Sequence, residues 1–169
     1  MEKVNPYNQF NKLISQNDII NIMETLNIND LKINNILLYQ RSFIHKSYCI
    51  ELYKDTDFKN IDDSLDLQET SYETMEFLGD SILGSIVSSY LYERFYKIYN
   101  QDEGFLTYLK NRIVCGESLA QLSNRLGFNR YLVISKHIED NCDGRNNKNI
   151  LEDVFEAFLG AIFLDNDYD

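Results

Sequence analysis

The most regular stretch of the chain runs from Ser71 to about Tyr96. Met75, Leu78, Ile82, Leu83, Ile86, Val87, Tyr90 and Leu91 recur there at three- and four-residue steps, which predicts a long helix. Upstream, Ile19, Ile20, Ile22, Met23 and Leu26 keep helical spacing over residues 15–26, with Ser15 or Asn17 as the cap. A short helix is predicted over 34–48 on Ile36, Leu37, Leu38 and Phe43. Gly104–Leu126 reads as one helix, with Glu103 at its N-terminus and Gly127 as its C-cap. The last helix, over 149–164, is apolar around much of its circumference and is therefore expected at the centre of the fold.

Between these elements, residues 131–135 (YLVIS) read as a short strand or a buried extended piece, and 139–149 as a polar loop. Residues 1–12 are polar, contain Pro6 and read as a loose lead-in. Residues 51–71 hold seven acids against Lys54 and Lys59 and read as an acidic loop or insertion. No repeat occurs and no strands alternate, so the fold class is all-α. The predicted organisation is an N-terminal helical lead-in over 1–29 and one helical domain over 30–169.

Composition narrows the function classes. With 169 residues, 44% of them hydrophobic, the chain can bury a core and is not disordered. The net charge of −11 excludes an overall basic nucleic-acid footprint. Cys49, Cys115 and Cys142 form no CxxC pair, which argues against a disulfide framework or thiolate zinc site. They read as reduced thiols of an intracellular, cytoplasmic protein. No apolar run approaches the ~20 residues of a membrane span and no signal peptide is evident, so no membrane partner is expected. Residues 104–150 alone are net positive. Lys110, Arg112, Arg125, Arg130, Lys136, Arg145 and Lys148 are their cations for a polyanion.

The candidate chemistry lies on the two most apolar helices. At ~100° per residue, Glu73, Glu76 and Asp80 fall within ~60° of one another at the edge of an apolar face. On the last helix, Asp153 and Glu156 are one turn apart, beside Ala157 and Gly160. That stripe is acidic and small, and suits close packing by another helix; Gly79, directly before Asp80, also admits a neighbouring backbone. Buried carboxylates cost several kcal/mol (~3–5 for an unpaired charge) unless a cation meets them. Bases are scarce in both segments. Oxygen donors without His or Cys select a hard ion, Mg²⁺ or Mn²⁺, and four carboxylates drawn from the two helices suffice to hold one or two such ions. Such an ion activates water and neutralises a phosphodiester.

A family resemblance is carried by these same residues. YETMEFLGDSILG resembles the ribonuclease III signature and LEDVFEAFLGAIFLD its second acidic motif. FIHKSY and GFLTYLKNRIVCGESLAQLSNRLGF are similar to further segments of that nuclease domain, in family order over about residues 30–165. The resemblance implies a ribonuclease III-type helical endonuclease domain that dimerises through its signature helix and cuts double-stranded RNA. Products would carry 5′-phosphates, 3′-hydroxyls and short 3′ overhangs. Glu76, Asp80, Asp153 and Glu156 match the metal-binding acids, Glu73 and Glu103 the accessory acids of the cleft. Phe77 matches an aromatic that enters a pocket on the partner subunit. The chain ends without a double-stranded RNA-binding domain, and before the family's last helix is expected to finish.

Two further expectations follow from the residues. Phe77, Ile82, Ile86 and Tyr90 give the signature helix more apolar surface than one small domain can cover, which predicts a homodimer. RNA is expected over the metal cleft, contacted by some of Lys110, Arg112, Lys136, Arg145 and Lys148 and kept off 51–71. The alternatives are a catalytically inactive relative serving as an RNA scaffold and a phosphohydrolase for small nucleotides.

Overall fold

A computed structural model describes residues 4–60 and 63–167; Ile61 and Asp62 of the acidic stretch, and the first three residues of the lead-in, lie outside the described residues. Every regular element among the described residues is helical. Two isolated parallel bridges, Ile44 with Val133 and Cys49 with Gln68, are the only β-type pairings among them. The fold is all-α.

Helix α1 (Gln16–Thr25) starts where Ser15 and Asp18 satisfy each other: Asp18 N–H donates to Ser15 Oγ (3.2 Å) and Ser15 N–H to Asp18 Oδ2 (2.9 Å). Helix α2 (Ile36–Arg41) is much shorter than the spacing of 34–48 predicts. The chain leaves the helix to pair with YLVIS: Val133 N–H donates to Phe43 O (2.9 Å) and His45 N–H to Val133 O (3.0 Å). Two short tight turns, Lys46–Tyr48 and Ile50–Tyr53, follow.

Helix α3 (Glu73–Leu91) runs on through a π-helical turn (Tyr92–Tyr96) into a last α turn (Lys97–Tyr99) and stops at Asn100, whose φ is 51°. The stretch predicted as one helix over 104–126 is two: α4 (Glu103–Ile113) and α5 (Gly116–Leu126). Cys115 between them is extended, and Ser118 Oγ donates to the Arg112 carbonyl (2.9 Å) at the bend. The Glu152 carboxylate of the last helix lies against the Cα of Gly116, beside the bend. Part of the loop predicted over 139–149 is helical, because α6 (Lys136–Asn141) is capped by Ser135. Helix α7 (Lys148–Asn166), capped by Asn147, closes the fold.

Helix α7 occupies the centre, as its apolar circumference requires: Leu151, Val154, Ala157 and Ala161 are wholly buried. Around it Phe43, Phe128 and Phe158 meet edge-on or tilted, with ring centroids 4.9–5.9 Å apart. YLVIS is buried and non-helical, so its polar backbone needs partners from outside. The N-terminal segment supplies them, and the loose lead-in expected there is instead a clamp. Asn11 Nδ2 donates to Ile134 O (2.9 Å) and Ile134 N–H to Asn11 Oδ1 (3.1 Å); Asn8 Nδ2 adds a bond to Ile134 O (3.1 Å). Among the described residues no helix is long and apolar enough to cross a membrane.

Candidate active site

Helices α3 and α7 cross backbone to backbone. A Cβ on Gly79 would lie inside contact distance of the Glu156 carbonyl oxygen, and one on Gly160 inside contact distance of Met75 O. Met75, Gly79 and Ile82 form the buried face of α3 that makes this crossing. Two acid-bearing stripes are thereby brought against each other. Glu76 and Asp80 come from α3, Glu152, Asp153 and Glu156 from α7.

Their mutual electrostatics record that meeting. Glu156 is buried, and its carboxyl is pushed up to about 8, by burial first and then by Asp80, Glu152, Glu76 and Asp153. Burial, then Asp153 and Glu73, raises Glu76; burial, then Asp153 and Asp80, raises Glu152. Asp153 is raised by burial, against the opposing pull of Tyr72 and Lys46. Among the described residues no three such groups are gathered into an ion-sized cage. The donor set still suits a hard divalent cation. It is carboxylate oxygen throughout, and the most buried acid, Glu156, meets neighbouring charges of its own sign.

The FIHKSY segment lies beneath this cleft. His45 accepts the Ser47 N–H on Nδ1 (3.1 Å) and packs its ring 5.8 Å from that of Tyr72. Burial pushes its imidazole down to about 4, so it is neutral at pH 7 and acts as a cap and packing surface. Tyr72, buried against it, donates its hydroxyl to Asp153 Oδ2 (3.0 Å). Lys46 pairs with Glu73 (Nζ to Oε1, 2.9 Å), and its charge also acts on Asp153 and Glu76. Composition and spacing hide both Tyr72 and Lys46 as candidate site residues. Tyr72 reads as one more apolar position and Lys46 as one more surface cation. The available signals are the FIHKSY motif, which contains Lys46, and YETMEFLGDSILG, which begins with Tyr72.

Tyr72 therefore orients an acid of the cleft. Tyr72→Phe is expected to lower divalent-metal affinity and any metal-dependent cleavage about ten- to a hundredfold. Thermal melting should move by no more than about 4 °C. Calorimetric Mg²⁺ titration beside a melt checks this; an unchanged Mg²⁺ affinity would contradict it.

The remaining candidates divide. Glu73 stands at the start of α3, held low by Lys46 and by Ser71 Oγ (3.2 Å). Glu103 is at the N-terminus of α4, where it accepts the Thr107 hydroxyl (3.0 Å). Arg145 is a correction. It is largely buried, forks onto Glu139 (2.9 Å to each oxygen) and donates to Asn129 O and Leu132 O (both 3.0 Å), so it staples the YLVIS region. Lys136 pairs with Asp140 (3.1 Å) and covers the Phe10 ring; Lys148 pairs with Glu117 (2.6 Å). Arg112 bonds the Tyr108 hydroxyl (3.1 Å) and Lys110 leans on Gly84 of α3.

Ile82 is a second correction. It shares the face of Met75 and Gly79 and is buried within the chain, so it has no surface to offer a partner. Phe77, Ile86 and Tyr90 are exposed, Phe77 to 79%. A large open groove of about 1090 Å³, lined by Met23, Leu31, Ile162 and Asp165, lies toward the C-terminal end of α7 and contains none of the four acids.

Comparison with known proteins identifies the architecture. A family model described as Ribonuclease-III-like matches residues 35–169. The chain belongs to the ribonuclease-III-like family. It is 37% identical over 135 residues to ribonuclease 3 of Staphylococcus aureus, covering 80% of this chain and 49% of that protein. It is 45% identical over 98 residues to protein A464R of Paramecium bursaria Chlorella virus 1, covering 57% of this chain and 34% of that one. The nuclease domain of ribonuclease III from Campylobacter jejuni superposes with a TM-score of 0.66 at 28% identity, covering 88% of this chain and 87% of that one. That structure is described by flexibility in a region involved in its dimer formation. The chain spans about half the length of the bacterial relative it matches and a third of the viral one.

Proposed function

We propose that this domain is a divalent-metal-dependent endoribonuclease that hydrolyses double-stranded RNA. Its products would carry 5′-phosphate and 3′-hydroxyl ends with short 3′ overhangs. The observation that carries the reading is the crossing of α3 and α7 within the family-matched region. It presents Glu76, Asp80, Asp153 and the buried Glu156 to one another. These four would hold Mg²⁺, with Mn²⁺ as a substitute. The ion supplies a water of lowered pKa and charge neutralisation at the phosphodiester.

The chain's own residues set the stage for that chemistry. Tyr72 fixes Asp153 by its hydroxyl, and neutral His45 supports the Tyr72 ring. Burial keeps water from solvating Glu156, so its carboxylate gains most from a cation. The exposed Phe77, Ile86 and Tyr90 on α3 support a homodimer, in which each protomer would cut one strand.

Digestion of a long RNA duplex with Mg²⁺ and with EDTA, with the ends mapped, tests the activity. Products with short 3′ overhangs and 5′-phosphates, in Mg²⁺ only, are expected. Hydrolysis of free nucleotides with the duplex left intact would indicate a small-molecule phosphohydrolase. An intact duplex and intact nucleotides would indicate an inactive relative. Light scattering at micromolar concentration is expected to give the mass of two chains, and a stable monomer would contradict the dimer.

A further inference from the structure

We propose that Lys46 is the cation that receives the phosphate backbone at this cleft, exchanging Glu73 for a substrate phosphate when duplex RNA arrives. The inference rests on the nuclease reading and names a substrate-contacting residue for it. A cleft bearing Glu73, Glu76, Asp80, Glu152, Asp153 and Glu156 repels a polyanion, so a fixed positive charge at its edge has a task. Three cations of 104–150 are placed differently. Arg145 is locked in the interior, and Lys136 and Lys148 pair with Asp140 and Glu117, outside the acid cluster, whereas the partner of Lys46 is Glu73, a member of it.

Lys46 acts on Glu73, Glu76 and Asp153, with its Nζ 2.9 Å from Glu73. Its backbone is anchored on both sides. His45 N–H is bound to Val133 O (3.0 Å), and Ser47 Oγ accepts the Ser135 N–H (3.0 Å). Its tip is free to move, because the ion pair is open to solvent, with side chains 62% and 50% exposed. Exposed pairs of this kind hold weakly, and a lysine ammonium on four flexible carbons redirects readily.

A cation here has opposite effects on the two ligands. It attracts phosphate and opposes a divalent ion bound by the same acids. Lys46→Met, which keeps the stem and removes the charge, is therefore expected to bind a 30-base-pair RNA duplex three- to tenfold more weakly in Ca²⁺. The salt slope should shrink by about one. Mg²⁺ affinity of the protein alone, read by calorimetry, should hold or rise. Lys46→Arg should restore duplex binding. A merely structural lysine would lose both affinities together. Duplex affinity and salt slope equal to wild type, or parallel loss of Mg²⁺ and duplex binding, would overturn the proposal. A wild-type protein that binds neither duplex nor Mg²⁺ would instead overturn the nuclease reading beneath it.

Discussion

Glu156→Gln is expected to lower RNA cleavage by more than about a hundredfold, the upper end of what losing a mere supporting partner of a metal ligand costs. The amide keeps the size and shape of the side chain at the α3–α7 crossing. What disappears is a charge that a cation needs and that the metal-free fold tolerates poorly. In the folded chain Glu156 holds its proton to about pH 8, against 4.5 for a free side chain. Between those values the unfolded state binds fewer protons than the native state. Stability of the metal-free protein therefore falls as pH rises from about 4.5 through about 8. Glu76, Glu152 and Asp153, raised by burial and by one another, contribute with the same sign. Glu73 is lowered by Lys46, so its contribution is lost only as pH falls into the acid range. Melts in EDTA from pH 5 to 9 should show the wild-type Tm declining, and the Glu156→Gln variant declining less and melting higher at pH 8. Added Mg²⁺ should stabilise the wild type and not the variant. A variant that cuts at near wild-type rate, or melts lower at pH 8, would remove Glu156 from the metal-binding set.

Gly79→Ala carries the second large effect. The added methyl meets backbone, the carbonyl of Glu156, rather than a side chain that can swing away. Overpacked cores lose about 1–3 kcal/mol when side chains can adjust, and occasionally more; rigid helix backbone places this site at the upper end. The helices must separate or slide, and the two acid stripes move with them. Loss of at least about 3 kcal/mol in urea unfolding and loss of cleavage are expected together. Glycine's role here is proximity, because Gly79 sits inside a regular helix. Full stability in the variant would show that the crossing is looser than its geometry.

The elements with strong local signals were legible along the chain. Ser15 marks the start of α1, Gly127 the end of α5, and the apolar circumference of α7 its central place. The acids were legible too, because carboxylates on a helix destined for burial conflict with their surroundings. The bend at Cys115 was missed because the apolar periodicity runs on across it, and only Gly116 marks it locally. Features set by distant partners were hidden as well. Asn8 and Asn11 read as tail until the buried backbone of Ile134 is seen to need them. A count of cations cannot separate Arg145, spent on Glu139 and two carbonyls, from Lys46, poised over the acids. Ile82 counts as surplus apolar surface until α7 covers its face.

The claim at the centre is that α3 and α7 together hold the ion. A crystal grown with Mn²⁺ and measured for anomalous scattering tests it most directly. An ion peak between the two helices, with oxygens of Glu76, Asp80, Asp153 and Glu156 among its ligands at about 2.1 Å, is the expected result. A protein that cleaves duplex RNA in Mn²⁺ while its ion lies elsewhere, or is held by neither helix, would contradict the account.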